Sequence, residues 1–144
     1  MEELSAIGSR LKNFDESLSE TDLFPVTAAD VSTVQVNVGR LCNQTCRHCH
    51  VEAGPERKEA MSKATFALLL DSIKRCGAPA VDITGGAPEM NPGYRWFVEE
   101  CANAGCHVKT RTNLTALLRP ENECLPEFLG KHKVEVIASL PYYL

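Results

Sequence analysis

The sequence has little that points to a membrane, to a nucleic acid or to export. No apolar run approaches the roughly 20 residues of a membrane-crossing helix. The opening stretch, Met1 to Ser9, carries Glu2 and Glu3 and no apolar centre, so it is not built as a secretory signal. Basic residues form no stripe. Lys and Arg number 15 against 19 Asp and Glu, a net charge of −4, which offers no electrostatic footprint for nucleic acid. No internal repeat or low-complexity tract stands out. These absences predict a cytoplasmic protein whose partners are neither membrane nor nucleic acid.

What remains is an ordinary soluble composition, 44% hydrophobic and 24% charged over 144 residues, enough for one compact domain. Cysteine is the exception. There are seven, an odd number, and without a secretory signal they are expected as thiols rather than as a disulfide framework. Cys42, Cys46 and Cys49 lie within eight residues of one another. Cys76, Cys101, Cys106 and Cys124 are scattered, and scattered cysteines of this kind are expected as small core residues.

Residues 1–30 read as a polar extension in which Phe14 and Leu18 could seat a short helix, stopped by Pro25. From Val31 the pattern sharpens. Val34, Val36 and Val38 alternate with Gln35 and Asn37 as in a strand. The cysteine segment follows as a loop closing near Gly54-Pro55. Ser62 is a helix N-cap, and Phe66, Leu69, Leu70 and Ile73 mark one helical stripe that Gly77 and Pro79 end. Residues 80–84 form a strand, and Gly85-Gly86-Ala87-Pro88 a tight turn. Asn91 is expected to cap a helix with Pro92 in its first position and Tyr94, Phe97, Val98 and Cys101 on its buried face. Strands are expected over 107–111 and 134–139, with a short helix at 126–131 between them.

Strands alternating with helices imply βαβ units and a parallel sheet. The predicted class is α/β: a partial (β/α) barrel of about four units, half of an eight-fold barrel of about 250 residues. Residues 31–144 are read as its N-terminal part, truncated after a strand at Tyr142-Tyr143-Leu144. A self-contained four-stranded sheet is the alternative.

The segment Cys42-Asn43-Gln44-Thr45-Cys46-Arg47-His48-Cys49-His50 has the spacing C-x3-C-x2-C directly after a strand. In parallel α/β folds, function gathers at the C-terminal ends of the strands. Iron–sulfur cubes usually take four cysteines. Three leave one iron open, as in a catalytic metal site, and an amine with a carboxylate could chelate it. Three other readings compete. A Cys3His zinc site would use His50, which neighbours Cys49 too closely to converge well with it. Cys46-Arg47-His48-Cys49-His50 matches the c-type haem pattern, but that leaves Cys42 unused. The same residues also allow a C-x-x-C redox pair.

These features resemble the radical SAM superfamily. The resemblance rests on the cysteine loop after the first strand and the glycine turn after the second. The strings Cys42 to Pro55, Thr84-Gly85-Gly86-Ala87-Pro88-Glu89 and Ala138-Ser139-Leu140-Pro141 look like its arsenosugar-biosynthesis branch. The resemblance implies a (β/α) barrel, a [4Fe–4S] cluster on Cys42, Cys46 and Cys49, and S-adenosylmethionine as cofactor. It implies reductive cleavage to a 5′-deoxyadenosyl radical, with a flavodoxin or ferredoxin as reductant and a small molecule, such as a methylated arsenical, as substrate. Two positions depart from the pattern. Ala87 stands where the superfamily commonly has glutamate, and Tyr142 where this branch would have cysteine. The alternative from another class is a non-catalytic iron–sulfur or zinc module on the same half-barrel.

The expected cofactor-binding residues are Gly85, Gly86 and Ala87 through their backbone, His48 stacking near adenine, and Asn113 and Ser139 at ribose hydroxyls or the methionine carboxylate. Glycines also suit a plain turn, and Asn113 and Ser139 equally suit strand-end roles. Arg111 could meet the carboxylate, with surface exposure preferred. Glu52 and Glu89 are expected to be solvated or capping. Asp82 stands inside a buried strand and needs a partner that the sequence does not name.

Overall fold

In the computed structural model, residues 12–27 and 29–139 are described. They fall into two units whose boundary lies between Asp30 and Val31. In the first unit, helix α1 (Phe14–Ser19) starts at Asn13, whose side chain accepts from the Glu16 N–H while the Glu16 carboxylate accepts from the Asn13 N–H. This reciprocal cap satisfies two free donors of the first turn. None of its residues is buried.

The second unit is a four-stranded parallel sheet in the order β1 (Thr33–Asn37), β2 (Ala80–Thr84), β3 (His107–Thr112), β4 (Glu135–Ala138). Between the strands lie α2 (Lys63–Cys76), α3 (Tyr94–Asn103) and α4 (Leu125–Lys131). This is the predicted partial barrel. Parallel strands need crossovers of a dozen residues or more, and each helix supplies one.

Val36, Val81, Ile83 and Val108 point to one face of the sheet and pack with Phe66 and Ile73 of α2 and Phe97, Val98 and Cys101 of α3. Phe66 and Phe97 are fully buried, with ring centroids 4.7 Å apart. Burial of one such ring contributes about 1.5–3 kcal/mol. By strand alternation the other face carries Gln35, Asp82, Lys109 and Glu135 in one register row. There Asp82 finds its partners: Arg111 donates from Nε and Nη2 at 2.8–3.1 Å, and Gln35 donates at 3.1 Å.

Ser62 caps α2 through the Thr65 N–H, and Gly77 ends it in the left-handed region. Asn91 departs from its expected role. Helix α3 begins at Tyr94, with Gly93 as its cap, so Pro92 lies outside it. The buried Asn91 amide instead donates to the carbonyls of Val38 and Met61 and accepts from the Gly93 N–H. It ties the β1 exit to the start of α2 and the approach to α3. Cys101 is buried as expected, whereas Cys76 and Cys124 are exposed and Cys106 is half-buried.

A cysteine-lined cavity at the strand ends

The β1 exit is pinched before the cysteine loop begins. Gly39 pairs with Ala60, and Leu41 with Gly54. Cys42 N–H donates to the Gly54 carbonyl and Gly54 N–H to that of Arg40. The segment between Leu41 and Gly54 is thus a closed loop whose three cysteines stand over the C-terminal ends of the strands.

The turn after β2 docks on this neck. Gly86 N–H donates to Gly39 O and Ala87 N–H to Leu41 O, both at 2.9 Å. A Cβ on Gly86 would lie 2.3 Å from Leu41 O, and one on Gly85 2.8 Å from Gly39 O. Gly85 also holds φ +144°, a conformation that side chains resist. The two glycines are therefore required by the approach of the cysteine loop's own backbone.

Cys42, Cys46 and Cys49 line one cavity of about 270 Å³. Its wall includes His48, Gly85, Gly86, Asn113 and Ser139, so eight of the nine sequence-predicted positions, the three cysteines among them, meet here. Ala87 does not line the cavity. It is buried against Cys42 and Ala116, and its carbonyl accepts from the Met90 N–H. Arg111 does line the cavity, held by Asp82. That pair was legible only from strand register: Lys109 sits beside Asp82, and Arg111 is the next residue on the same face.

The sulfurs have distinct surroundings. The Asn113 amide donates to Cys42 Sγ at 3.5 Å, and the Ala53 N–H donates to Cys49 Sγ at 3.3 Å. Cys46 Sγ lies 3.6 Å from Gln44 Oε1. Burial pushes the Cys46 thiol above its ordinary range, and the neighbouring Cys42 and Cys49 push it the same way. The charge that a Cys46 thiolate would add beside its two neighbours is of the kind that a cationic metal centre relieves. Among the described residues, no three His, Cys, Asp or Glu side chains gather closely enough for a single ion. A zinc site would need four converging ligands, whereas an iron–sulfur cube presents its irons at separate corners and suits three spaced thiolates around a cavity.

Glu89 is neither solvated nor capping. It is buried, its two carboxylate oxygens have no hydrogen-bond partner among the described residues, and burial raises its pKa. Glu52 is exposed near Arg40. Asn43, Gln44 and Thr115 had not been singled out, yet Asn43 and Gln44 both donate to Thr115 Oγ1 across the cavity rim. Asn43 and Gln44 carry the signal of polarity beside the cysteines, whereas Thr115, distant in sequence, carries none. Among the described residues, no helix is long and apolar enough to cross a membrane.

Comparison with known proteins decides the family. The radical SAM superfamily model matches residues 36–137. The chain belongs to the radical SAM superfamily. Its membership implies a [4Fe–4S] cluster and S-adenosylmethionine. A probable GTP 3′,8-cyclase of Methanopyrus kandleri is 32% identical over 75 residues, 52% of this chain and 24% of that protein. Streptococcus suis SuiB bound to S-adenosylmethionine superposes with a TM-score of 0.62 at 21% identity, covering 77% of this chain and 25% of SuiB. BtrN in complex with AdoMet and 2-DOIA gives 0.62 at 19% identity, covering 79% and 47%. At these identities the two structures are alike in fold. The chain spans about a quarter of the length of the cyclase relative and of SuiB.

Proposed function

We propose that this chain is the cofactor-binding part of a radical SAM enzyme, with Cys42, Cys46 and Cys49 holding the [4Fe–4S] cluster. The observation that carries this reading is that all three thiols line one cavity with the Gly85-Gly86 turn. The bound cluster would supply one low-potential electron to the sulfonium of S-adenosylmethionine, releasing methionine and a 5′-deoxyadenosyl radical. The chain's own residues bind and orient. Gly85 and Gly86 present backbone to the cavity without side chains in the way. His48 offers a ring at its rim, and Ser139 a hydroxyl beyond β4. Arg111, fixed by Asp82, brings a cation to the same wall, suited to a carboxylate.

For the substrate we favour a methylated arsenical, on the strength of the Thr84-to-Glu89 and Ala138-to-Pro141 strings. A flavodoxin or ferredoxin is the reductant class that fits. The test is anaerobic reconstitution with iron and sulfide, then S-adenosylmethionine and dithionite. Four irons and 5′-deoxyadenosine are expected, and a methylated arsenite should divert the deoxyadenosyl group into an arsenic-containing product. GTP serves as the control substrate: its consumption in place of the arsenical would overturn the substrate assignment. Four irons with no deoxyadenosine would favour a non-catalytic module.

A further inference from the structure

We infer that Asn113 is a positioning residue for the cluster, holding Cys42 and raising the cluster's reduction potential through an N–H···S hydrogen bond. The inference rests on the proposed cluster at Cys42, Cys46 and Cys49. A primary amide has two N–H donors and an oxygen with two lone pairs, and Asn113 uses all four. Its nitrogen donates to Cys42 Sγ at 3.5 Å and to Asn43 Oδ1 at 2.9 Å. Its oxygen accepts from Thr115 Oγ1 and from the Ala116 N–H, both at 3.0 Å.

The backbone N–H of Ala116 can only donate, so the atom facing it is the amide oxygen. The NH₂ group must then face Cys42. Thr115 fixes the orientation independently. Its hydroxyl oxygen receives Asn43 Nδ2 at 2.8 Å and Gln44 Nε2 at 3.1 Å, which leaves its own hydrogen for Asn113 Oδ1. Asn43, Asn113 and Thr115 thus form a closed ring that spans about seventy residues of sequence and joins the cysteine loop to the end of β3. With its valences filled, Asn113 has no group free for a ribose.

Cys42 is buried, so the amide dipole acts on its sulfur with little screening. Donors to cluster sulfurs stabilise the more negatively charged reduced state, and outer partners of this kind set ligand orientation.

Redox titration of the reconstituted protein, followed by electron paramagnetic resonance, tests this. Asn113→Ser should bind iron and titrate at lower potential than the wild type. Thr115→Val loosens the same ring without touching the sulfur and should titrate close to the wild type. Equal potentials for Asn113→Ser and wild type, or equal drops for both variants, would overturn the inference. A second readout needs no variant: side-chain ¹⁵N-labelled asparagine in the wild type should give a hyperfine coupling to the reduced cluster, and its absence counts equally against the role. A protein that binds no iron–sulfur cluster at all would instead refute the functional reading beneath.

Discussion

Each end of the sheet carries three cysteines, and only the C-terminal end supplies N–H donors to sulfur, to two of its three; the third, Cys46, faces the Gln44 side-chain oxygen. At the C-terminal end, Cys42 and Cys49 receive N–H donors from Asn113 and Ala53. At the other end, Cys76 and Cys106 face carbonyls, those of Ile73 and Ala78, to which a thiol donates, and Cys101 is sealed in the core. Donors favour the thiolate that binds metal, while carbonyls and burial favour the neutral thiol. Position on the fold, more than the number of thiols, separates a cofactor end from a structural one.

The largest effect that can break this comparison is loss of the cluster. Cys42→Ala, Cys46→Ala and Cys49→Ala should each abolish iron binding, measured by iron and sulfide content. Cys76→Ala and Cys106→Ala should keep it, and Cys101→Ala should keep it at a stability cost of about 1–2 kcal/mol. Comparable iron loss at the second group would erase the distinction.

Next is the neck that presents the first group. Gly86→Ala places a Cβ against Leu41 O, where backbone must move. Several kcal/mol of destabilisation are expected, together with reduced iron loading, whereas Gly105→Ala has open space and loses only through its positive φ. Urea denaturation of both variants measures the gap.

Reactivity sharpens the comparison further. Burial raises the Cys101 pKa to about 12, with nearby Cys106 and Glu100 adding to the rise, so the folded protein should leave Cys101 unalkylated by iodoacetamide at pH 8 while the exposed Cys76 reacts. Peptide mass mapping reads both sites.

The smallest effect concerns Asp82. The Arg111 hydrogen bonds, with help from Gln35, hold its carboxyl below the usual range. A lowered folded pKa stabilises above the unfolded value, about 3.9, and the benefit fades as pH falls through the folded value. Asp82→Asn should therefore cost about 1–2 kcal/mol at pH 7 and progressively less below about pH 4, as followed by thermal melts.

Much of this was legible in the chain. Alternation at Val34, Val36 and Val38 and the stripe from Phe66 to Ile73 located strand and helix because both report burial on one face. The C-x3-C-x2-C spacing located the loop. Long-range polar geometry was not legible. Asn91 reads as a cap because caps are local, yet its amide reaches back to Val38. Asn113 reads as a cofactor contact or a strand-end cap, and its link to Asn43, seventy residues away, has no local signal. Asp82 and Arg111 meet only once the strands are in register. Exposure of Cys76 and Cys124 was missed because cysteine's average burial says nothing of a residue at a helix end, the last of α2 for Cys76 and the one before α4 for Cys124.

The central claim is that three cysteines leave one iron open to the amino-acid end of S-adenosylmethionine. Electron–nuclear double resonance on the reduced, reconstituted protein with S-adenosylmethionine ¹⁵N-labelled at its amino group tests this most directly. A strong ¹⁵N coupling to the cluster is predicted. A cluster that shows none, with the cofactor demonstrably present in excess, would contradict it.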